Sequence, residues 1–190
     1  MEMLLGVFSA FGLSASAGLN AYIPLLVVGV IAHYFPKTLT LNQPWDLIAN
    51  PWILILLGIL VIIEMIADKV PAVNHINDLI QTFVRPVAGA IAFAASAKVV
   101  TDINPLLALA CGLLMAGGVH VVKSAAIRPA VSAATAGAAN VPVSIAEDTL
   151  SFFASVFAIL LPIVMGTILI VLLALVLWWL WRRTDNPETA

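Results

Sequence analysis

The stretch from residue 116 to residue 148 reads AGGVHVVKSAAIRPAVSAATAGAANVPVSIAED. Nearly all of its residues are small or apolar, and the ionisable exceptions are His120, Lys123, Arg128, Glu147 and Asp148. Small residues let helices pack closely within a bilayer. Ionisable groups embedded among them are costly when they face lipid, so we expect them to face one another, water or a ligand. The stretch therefore predicts a membrane helix bundle with a polar interior.

The composition of the whole chain points the same way. Of its 190 residues, 63% are hydrophobic and 9% are charged, and the mean hydropathy is +1.12. A soluble domain carries about 25% charged residues. The net charge of −2 and the lack of a basic run argue against nucleic acid as a partner. The single cysteine and the scattered histidines provide no disulfide and no zinc-type spacing, so we expect no metal and no cofactor.

Apolar segments predict a single all-α membrane domain over residues 1–190, with six or seven segments, some short or broken. A spanning helix needs about 20 apolar residues. Residues 3–34 are too long for one span and too short for two, and Gly12, Gly18 and Pro24 favour a broken helix or a hairpin of short helices. The further predicted segments are 52–67, 86–100, 105–122, 129–146 and 150–181.

Aromatic residues and positive charges predict the orientation of these segments. The last one ends on residues 178–183 (WWLWRR), which favours a cytoplasmic C-terminus. Alternation back along the chain then places Glu147 and Asp148 outside and a turn at Lys123 and Arg128 inside.

Residues 71–84 show amphipathic periodicity, with a polar stripe that includes Asp78 and continues to Arg85. One interpretation is a helix that lies in the interface with its polar face in water. The other is that the stripe closes one end of a cavity. Since proline is favoured in the first turn of a helix, the Arg-Pro pairs at Arg85 and Arg128 are expected to mark the start of two short helices.

Two parts of the sequence resemble each other. Residues 85–97 align without gaps with residues 128–140. Many small transporters consist of repeated units with the solute between them. Repeat units over 51–101 and 105–146 are therefore one interpretation, and a chance alignment of alanine-rich segments is the other.

Polar residues near the helix breaks and within the small-residue segments form the candidate site. We predict that they line a path for a solute: Asn20, Tyr22, Glu64, Asp68, Asp78, Arg85, His120, Lys123, Arg128, Asn140, Glu147 and Asp148. If the helix continues, His120, Lys123, Ser124 and Arg128 form one basic stripe that suits an anionic solute or a lipid phosphate. In the alternative, these residues neutralise carboxylates of other helices or extend to the cytoplasmic headgroups.

The remaining candidates have alternatives of the same kind. Glu147 and Asp148 diverge by about 100° on a helix, so we expect them to have different partners. Asn20, Tyr22 and Asn140 offer amide and hydroxyl groups to a solute or cap broken helix ends.

The sequence gives little support for catalysis. It has no zinc-protease motif, nucleophile elbow, phosphate loop or paired cysteine motif. His75 and Asp78 are suitable for an acid/base pair in a lipid-active enzyme, but such a pair on an amphipathic helix is usually solvated surface. We therefore predict no enzyme and no catalytic residue.

Several motifs resemble one known family. They are Gly18-Leu-Asn20-Ala-Tyr22, Asp68-Lys69-Val-Pro71, Asn77-Asp78, Arg85-Pro86-Val-Ala-Gly89, Asn140-Val-Pro142-Val-Ser144 and Glu147-Asp148. Over nearly the whole chain they resemble the bacterial integral membrane family known as domain of unknown function 4126. The resemblance implies a multi-pass protein of the bacterial cytoplasmic (inner) membrane whose polar positions belong together, and it brings no activity or substrate.

The leading hypothesis is a small transporter or channel-like permease for an unidentified small solute or ion. The alternative is a non-transporting scaffold or assembly protein whose polar residues only hold helices together, and a lipid-active enzyme ranks third. The expected partners are the lipid bilayer and the solute, with a homo-oligomer as a further option.

Overall fold

The chain folds into an all-helical bundle. The computed structural model describes residues 2–69, 71–97, 102 and 104–184. In chain order the helices are α1 (Glu2–Leu19), α2 (Tyr22–Tyr34), a 3-10 helix (Trp45–Ala49), α3 (Pro51–Ala67), α4 (Pro71–Ser96), α5 (Pro105–Val122), a π-helical turn (Lys123–Ile127), α6 (Arg128–Thr135), α7 (Asn140–Leu160) and α8 (Pro162–Thr184). No strand occurs within these ranges. The predicted all-α class is confirmed.

Within the described residues, four helical stretches are long and apolar enough to cross a membrane: Ile76–Ser96, Pro105–Thr135, Asn140–Leu160 and Pro162–Trp179. Three shorter apolar helices accompany them: Leu4–Leu19, Tyr22–Tyr34 and Pro51–Ala67. Within the described ranges this agrees with the predicted polytopic bundle of six or seven segments, some of them short.

Local sequence explains several helix starts. Asn50 accepts a hydrogen bond from the backbone N–H of Trp52 at 2.9 Å, and Pro51 occupies the first turn of α3. Asn104 does the same for Leu107 at 3.1 Å, ahead of α5. An asparagine cap followed by proline satisfies a free backbone donor and fixes the first turn of the helix.

Residues 3–34 are broken in the middle, as predicted. α1 ends at Leu19 and α2 begins at Tyr22. The Oδ1 atom of Asn20 accepts hydrogen bonds from the backbone N–H groups of Tyr22 and Ile23, each at 3.1 Å. Asn20 therefore satisfies the first donors of α2, which confirms its predicted capping role.

The predicted turn at Lys123 and Arg128 is wrong. One helical stretch of 31 residues runs from Pro105 to Thr135, because its alanine-rich sequence favours continued helix. The chain reverses only after Thr135, where Ala136 and Gly137 have φ angles of 50° and 85°. Such left-handed residues commonly end helices.

This later reversal changes the predicted topology. Residues 129–146 do not form a separate span, so Glu147 lies at the same end of the bundle as Lys123 and Arg128. The alternation that placed Glu147 and Asp148 on the opposite side is therefore wrong. The predicted single segment over 150–181 also divides, because α7 ends at Leu160 and α8 starts at Pro162.

Helix α4 continues through the Arg85-Pro86 pair, with Pro86 inside the helix. The expectation that this pair starts a helix is wrong. Asn77, Gln81 and Arg85 on its polar stripe are buried, whereas the apolar stripe on the other side is exposed. In a bilayer this orientation is favourable, because lipid solvates apolar side chains. An interfacial position for residues 71–84 and the internal repeat stay predictions.

Helix α1 forms the centre of the bundle and packs against α4, α5, α7 and α8. Ser16 donates a hydrogen bond to the backbone oxygen of Ser151 at 2.6 Å, and its hydroxyl lies 2.7 Å from that of Ser155. Ser14 bonds the backbone oxygen of Gly112 on α5 at 2.7 Å. Small and hydroxyl-bearing residues thus bring these helices into close contact.

Two glycines of α5 provide a matched test of this packing. A Cβ atom at Gly112 would lie 2.6 Å from the Phe93 Cβ and 2.7 Å from the Ala90 Cα, whereas one at Gly118 would meet nothing within 4 Å. We expect Gly112→Ala to lower the free energy of unfolding by about 1–3 kcal/mol through overpacking. Gly118→Ala should be neutral or stabilise by up to about 1 kcal/mol. Unfolding of the purified variants in detergent checks this, and equal stabilities would contradict the packing.

Candidate functional site

Nine charged side chains meet at the end of the bundle where α1, α3 and α5 end. We call them the ionic cluster, and its members are Glu64, Asp68, Lys69, Asp78, Arg85, Lys123, Arg128, Glu147 and Asp148. Most of them are almost completely buried. With five carboxylates and four cations, the cluster is close to electrically neutral, which is the condition for burying so many charges.

The deepest part of the cluster is organised by Arg85, whose side chain is fully buried. Its guanidinium lies 3.0 Å from the Glu64 carboxylate and 3.0 Å from the Nδ1 atom of His120. Since a guanidinium can only donate, Nδ1 of His120 accepts and its Nε2 carries the proton toward the hydroxyl of Thr82, 3.2 Å away. This tautomer makes His120 a neutral partner of Arg85.

Lys123 and Arg128 share the carboxylate of Glu147. The Lys123 Nζ and Arg128 Nη2 atoms lie 2.9 Å and 3.0 Å from the Glu147 Oε2 atom. Arg128 also contacts Asp68 at 2.9 Å and Asp78 at 3.1 Å. Lys123 and Arg128 thus neutralise carboxylates of other helices, which is one of the two alternatives predicted from the sequence.

The π-helical turn explains how both cations reach one carboxylate. On an α-helix, residues five apart diverge by about 140°. In the turn Lys123–Ile127 the backbone N–H of Arg128 instead bonds the carbonyl oxygen of Lys123. This i→i+5 bond widens the turn and brings both side chains toward the same side.

Glu147 and Asp148 have different partners, as predicted. Asp148 bonds Lys69 at 2.9 Å and the side-chain amide of Asn20 at 3.0 Å. The residue that caps α2 therefore also holds Asp148 of α7. This connects the break between α1 and α2 with the ionic cluster.

Asp68 lies just after α3 and connects several cations. Its carboxylate accepts a hydrogen bond from Asn77 at 2.6 Å and lies 2.9 Å from Arg128 and 3.8 Å from Lys123. Burial alone would raise the pKa of Asp68, but Lys123, Arg128 and Arg85 outweigh it and hold the pKa below its ordinary value. Asp68 is therefore ionised at neutral pH.

A polar cavity of about 470 Å³ lies beside the cluster. Its walls include Asp68, Lys69, Asp78, Arg128, Ser132 and Asn140. Asn140 accepts a hydrogen bond from Ser132 at 2.9 Å. The cavity is large enough for a small ligand, since ligand sites commonly measure about 300–1,000 Å³.

The structure brings together eleven of the twelve residues predicted from the sequence. Each of them belongs to the ionic cluster, contacts it or lines the polar cavity. The remaining one, Tyr22, is partly buried and packs against the apolar core. Whether the set lines a transport path stays a prediction. The side chain of His75 lies outside the described part of the structure, and Asp78 is paired with Arg128 instead.

Sequence reasoning missed Lys69, Asn77 and Thr82 as site residues. Lys69 follows Asp68 directly, and Asn77 lies on the polar stripe of α4, so both had a local signal. Thr82 had none, because its role depends on the position of His120 on another helix.

Comparison with known proteins identifies the family. Residues 7–183 match the model of the family described as a domain of unknown function (DUF4126). The chain belongs to this family. No curated protein and no solved structure matches it. The DUF4126 match covers all members of the ionic cluster and assigns them no activity.

The Arg85–Glu64 pair of this DUF4126 chain can be tested by a charge-balanced substitution. Arg85→Met leaves the buried Glu64 without its main cation, so we expect a loss of about 3–5 kcal/mol in the free energy of unfolding. Adding Glu64→Gln removes the stranded charge and keeps an acceptor for the Ala21 N–H group. The double variant should therefore regain part of the loss.

Unfolding in detergent measures these stabilities, with Lys37→Met at an exposed loop position as the control. The pairing would be contradicted if Arg85→Met matched this control. A double variant less stable than Arg85→Met alone would contradict it as well.

Proposed function

We propose that this chain is a small permease whose polar cavity receives a solute and whose ionic cluster forms the movable wall. The main support is that the cavity borders directly on buried ion pairs. Lys69 and Asp78 in its wall each expose 26% of their side chains, whereas the Arg85 and Lys123 side chains behind them expose 0% and 2%. Polar groups inside a membrane bundle commonly mark such pathways.

The arrangement of the ion pairs suits alternation between two states. Asp68 contacts Arg85, Lys123 and Arg128, so one pair can open while others persist. If α6 moved away from α4, Arg128 would lose Asp78, and Lys123 would still hold Glu147. Arg128 would keep Glu147, and Asp78 is the more exposed member of the opened pair, so the costly situation of an unpaired, fully buried charge would not arise.

Unused hydrogen-bonding capacity near the cluster also supports a solute or water path. The buried Oε1 atom of Gln81 and Oγ atom of Ser144 have no hydrogen-bond partner in the described part of the chain. Gln81 is one helical turn from Arg85, and Ser144 is one turn from Asp148. Each unsatisfied group costs about 1–3 kcal/mol, so water or a ligand is expected to bind it.

A second candidate is a scaffold, and one observation favours it. Each carboxylate of the ionic cluster has a cation within 3.1 Å. In a single conformation, a network that only holds helices together would have the same contacts as the movable wall of a permease. The two functions differ in whether the purified protein moves a solute.

Flux through the reconstituted protein tests the permease. We expect the wild-type chain in liposomes to move at least one member of a panel of inorganic ions, amino acids, organic cations and anions, and labelled lipids. Arg128→Gln should lower that flux about tenfold or more, which corresponds to about 1.4 kcal/mol of lost interaction. Lys37→Gln, which removes an exposed loop charge, should leave it unchanged.

The scaffold gives a different result in the same experiment. It predicts no flux above protein-free liposomes for the wild-type chain, together with lower stability for Arg128→Gln. A wild-type flux that Arg128→Gln leaves intact would contradict the assigned path.

We further propose that the protein lies in the bacterial cytoplasmic membrane, with the ionic cluster and the C-terminus at the cytoplasmic side. The cations of the cluster support this orientation. Ala138 lies in the turn near the cluster, whereas Thr40 lines a small pocket with Ala94 and Ala95 near the opposite end of α4.

Cysteine labelling tests the orientation in a Cys111→Ala background. Thr40→Cys should react with a membrane-impermeant maleimide added outside intact cells. Ala138→Cys should react only after the membrane is opened. The reversed pattern would contradict the orientation, and the control is the cysteine-free chain.

A further inference from the structure

A second cavity of about 540 Å³ has a different chemistry from the first. It is a groove between α2, α3 and α7, with walls that include Val27, Val30, Val61 and Phe152. Two of its wall residues, Ile145 and Phe152, are half-exposed, so the groove opens on the outer surface of the bundle. Since these three helices are apolar, we expect that surface to face lipid.

The apolar groove and the polar cavity meet at one ion pair. Asp148 lines the groove, and Lys69 lines the polar cavity. The Lys69 Nζ atom lies 2.9 Å from the Asp148 Oδ2 atom. A ligand with an apolar chain and a polar head could therefore occupy both spaces by passing this pair.

The polar cavity offers one accessible charge of each sign. Lys69 and Asp78 each expose 26% of their side chains, whereas Arg128 exposes 14% and Asp68 2%. A lysine ammonium binds phosphate as a compact charge, and a carboxylate accepts hydrogen bonds from an ammonium group. A headgroup that matches both charges carries a phosphate and a protonated amine.

We propose that the groove and the polar cavity form one binding site for a zwitterionic phospholipid of the phosphoethanolamine type. An acyl chain lies in the groove, the phosphate binds Lys69, and the primary ammonium binds Asp78. A quaternary ammonium has no N–H to donate to Asp78, and a headgroup without an amine adds no donor to the one that Asp78 already has in Arg128. This binding site does not rest on the proposed permease function, whereas transport of the bound lipid would.

Native mass spectrometry of the purified full-length chain tests the site. The probes are phosphatidylethanolamine, phosphatidylcholine and phosphatidylglycerol with identical acyl chains, added in equal amounts. We expect one phosphatidylethanolamine retained per chain, with about tenfold preference over the other two, as loss of a charge-assisted hydrogen bond implies. Equal retention of the three lipids, or preference for either of the others, would overturn the proposal.

Two matched pairs of variants locate the site. Asp78→Asn should abolish the headgroup preference, and Asp46→Asn at an exposed position of the 3-10 helix should not. Val30→Trp fills the groove without changing a charge and should abolish retention of the lipid. Val164→Trp on the exposed surface of α8 should not. Preference that survives both Asp78→Asn and Val30→Trp would overturn the proposed site.

The outcome separates this inference from the permease. Retained phosphatidylethanolamine with no flux of any solute or lipid would support the lipid site and contradict transport. Solute flux with no selective lipid retention would support the permease and overturn the lipid site.

Discussion

The structure depends on the requirement that charges within a membrane bundle be paired. An isolated ion in an apolar medium is costly, and removing one member of a buried pair leaves the other stranded. The ionic cluster meets this requirement by drawing carboxylates and cations from α3, α4, α5, α6 and α7, or from residues next to their ends. Arg85 and Lys123 are almost completely buried and still have carboxylate partners at 3.0 Å and 2.9 Å. The cluster therefore restricts how these helices can be arranged.

Two local backbone features make this pairing geometrically feasible. The break at Asn20 ends α1 at the level of the cluster, so that the carbonyl oxygen of Leu19 accepts from Lys123 at 2.8 Å. The π-helical turn brings Lys123 and Arg128 to one carboxylate. Both features interrupt regular α-helix, and π-helical turns are frequent at functional sites. Irregular backbone is tolerated within a membrane bundle where it is buried in protein.

Much of the fold and of the candidate site could be predicted from the sequence. The class follows from composition, and the broken first segment follows from Gly12, Gly18 and Pro24. The inward orientation of the charged residues follows from the cost of exposing them to lipid. These inferences need only local composition and the nature of the bilayer.

The pairing of the charges could not be predicted in the same way. It depends on where the chain reverses after α6. Gly137 is a common helix-ending residue, but the alanine-rich residues around it also fit a continued span, so Gly137 alone did not fix the reversal. The alternation rule assumed a span between Arg128 and Glu147 and therefore separated residues that are in contact. A π-helical turn has no clear sequence signal either, so the sharing of the Glu147 carboxylate by Lys123 and Arg128 could not be predicted from their spacing.

The most direct test of this account is a double-mutant cycle between Lys123 and Glu147. Lys123→Met, Glu147→Gln and the double variant would be unfolded in detergent and compared with the wild-type chain. The account predicts a coupling free energy of about 1–3 kcal/mol, because the two charges are buried and in contact. A coupling near zero would contradict it, since residues on opposite sides of the membrane do not interact.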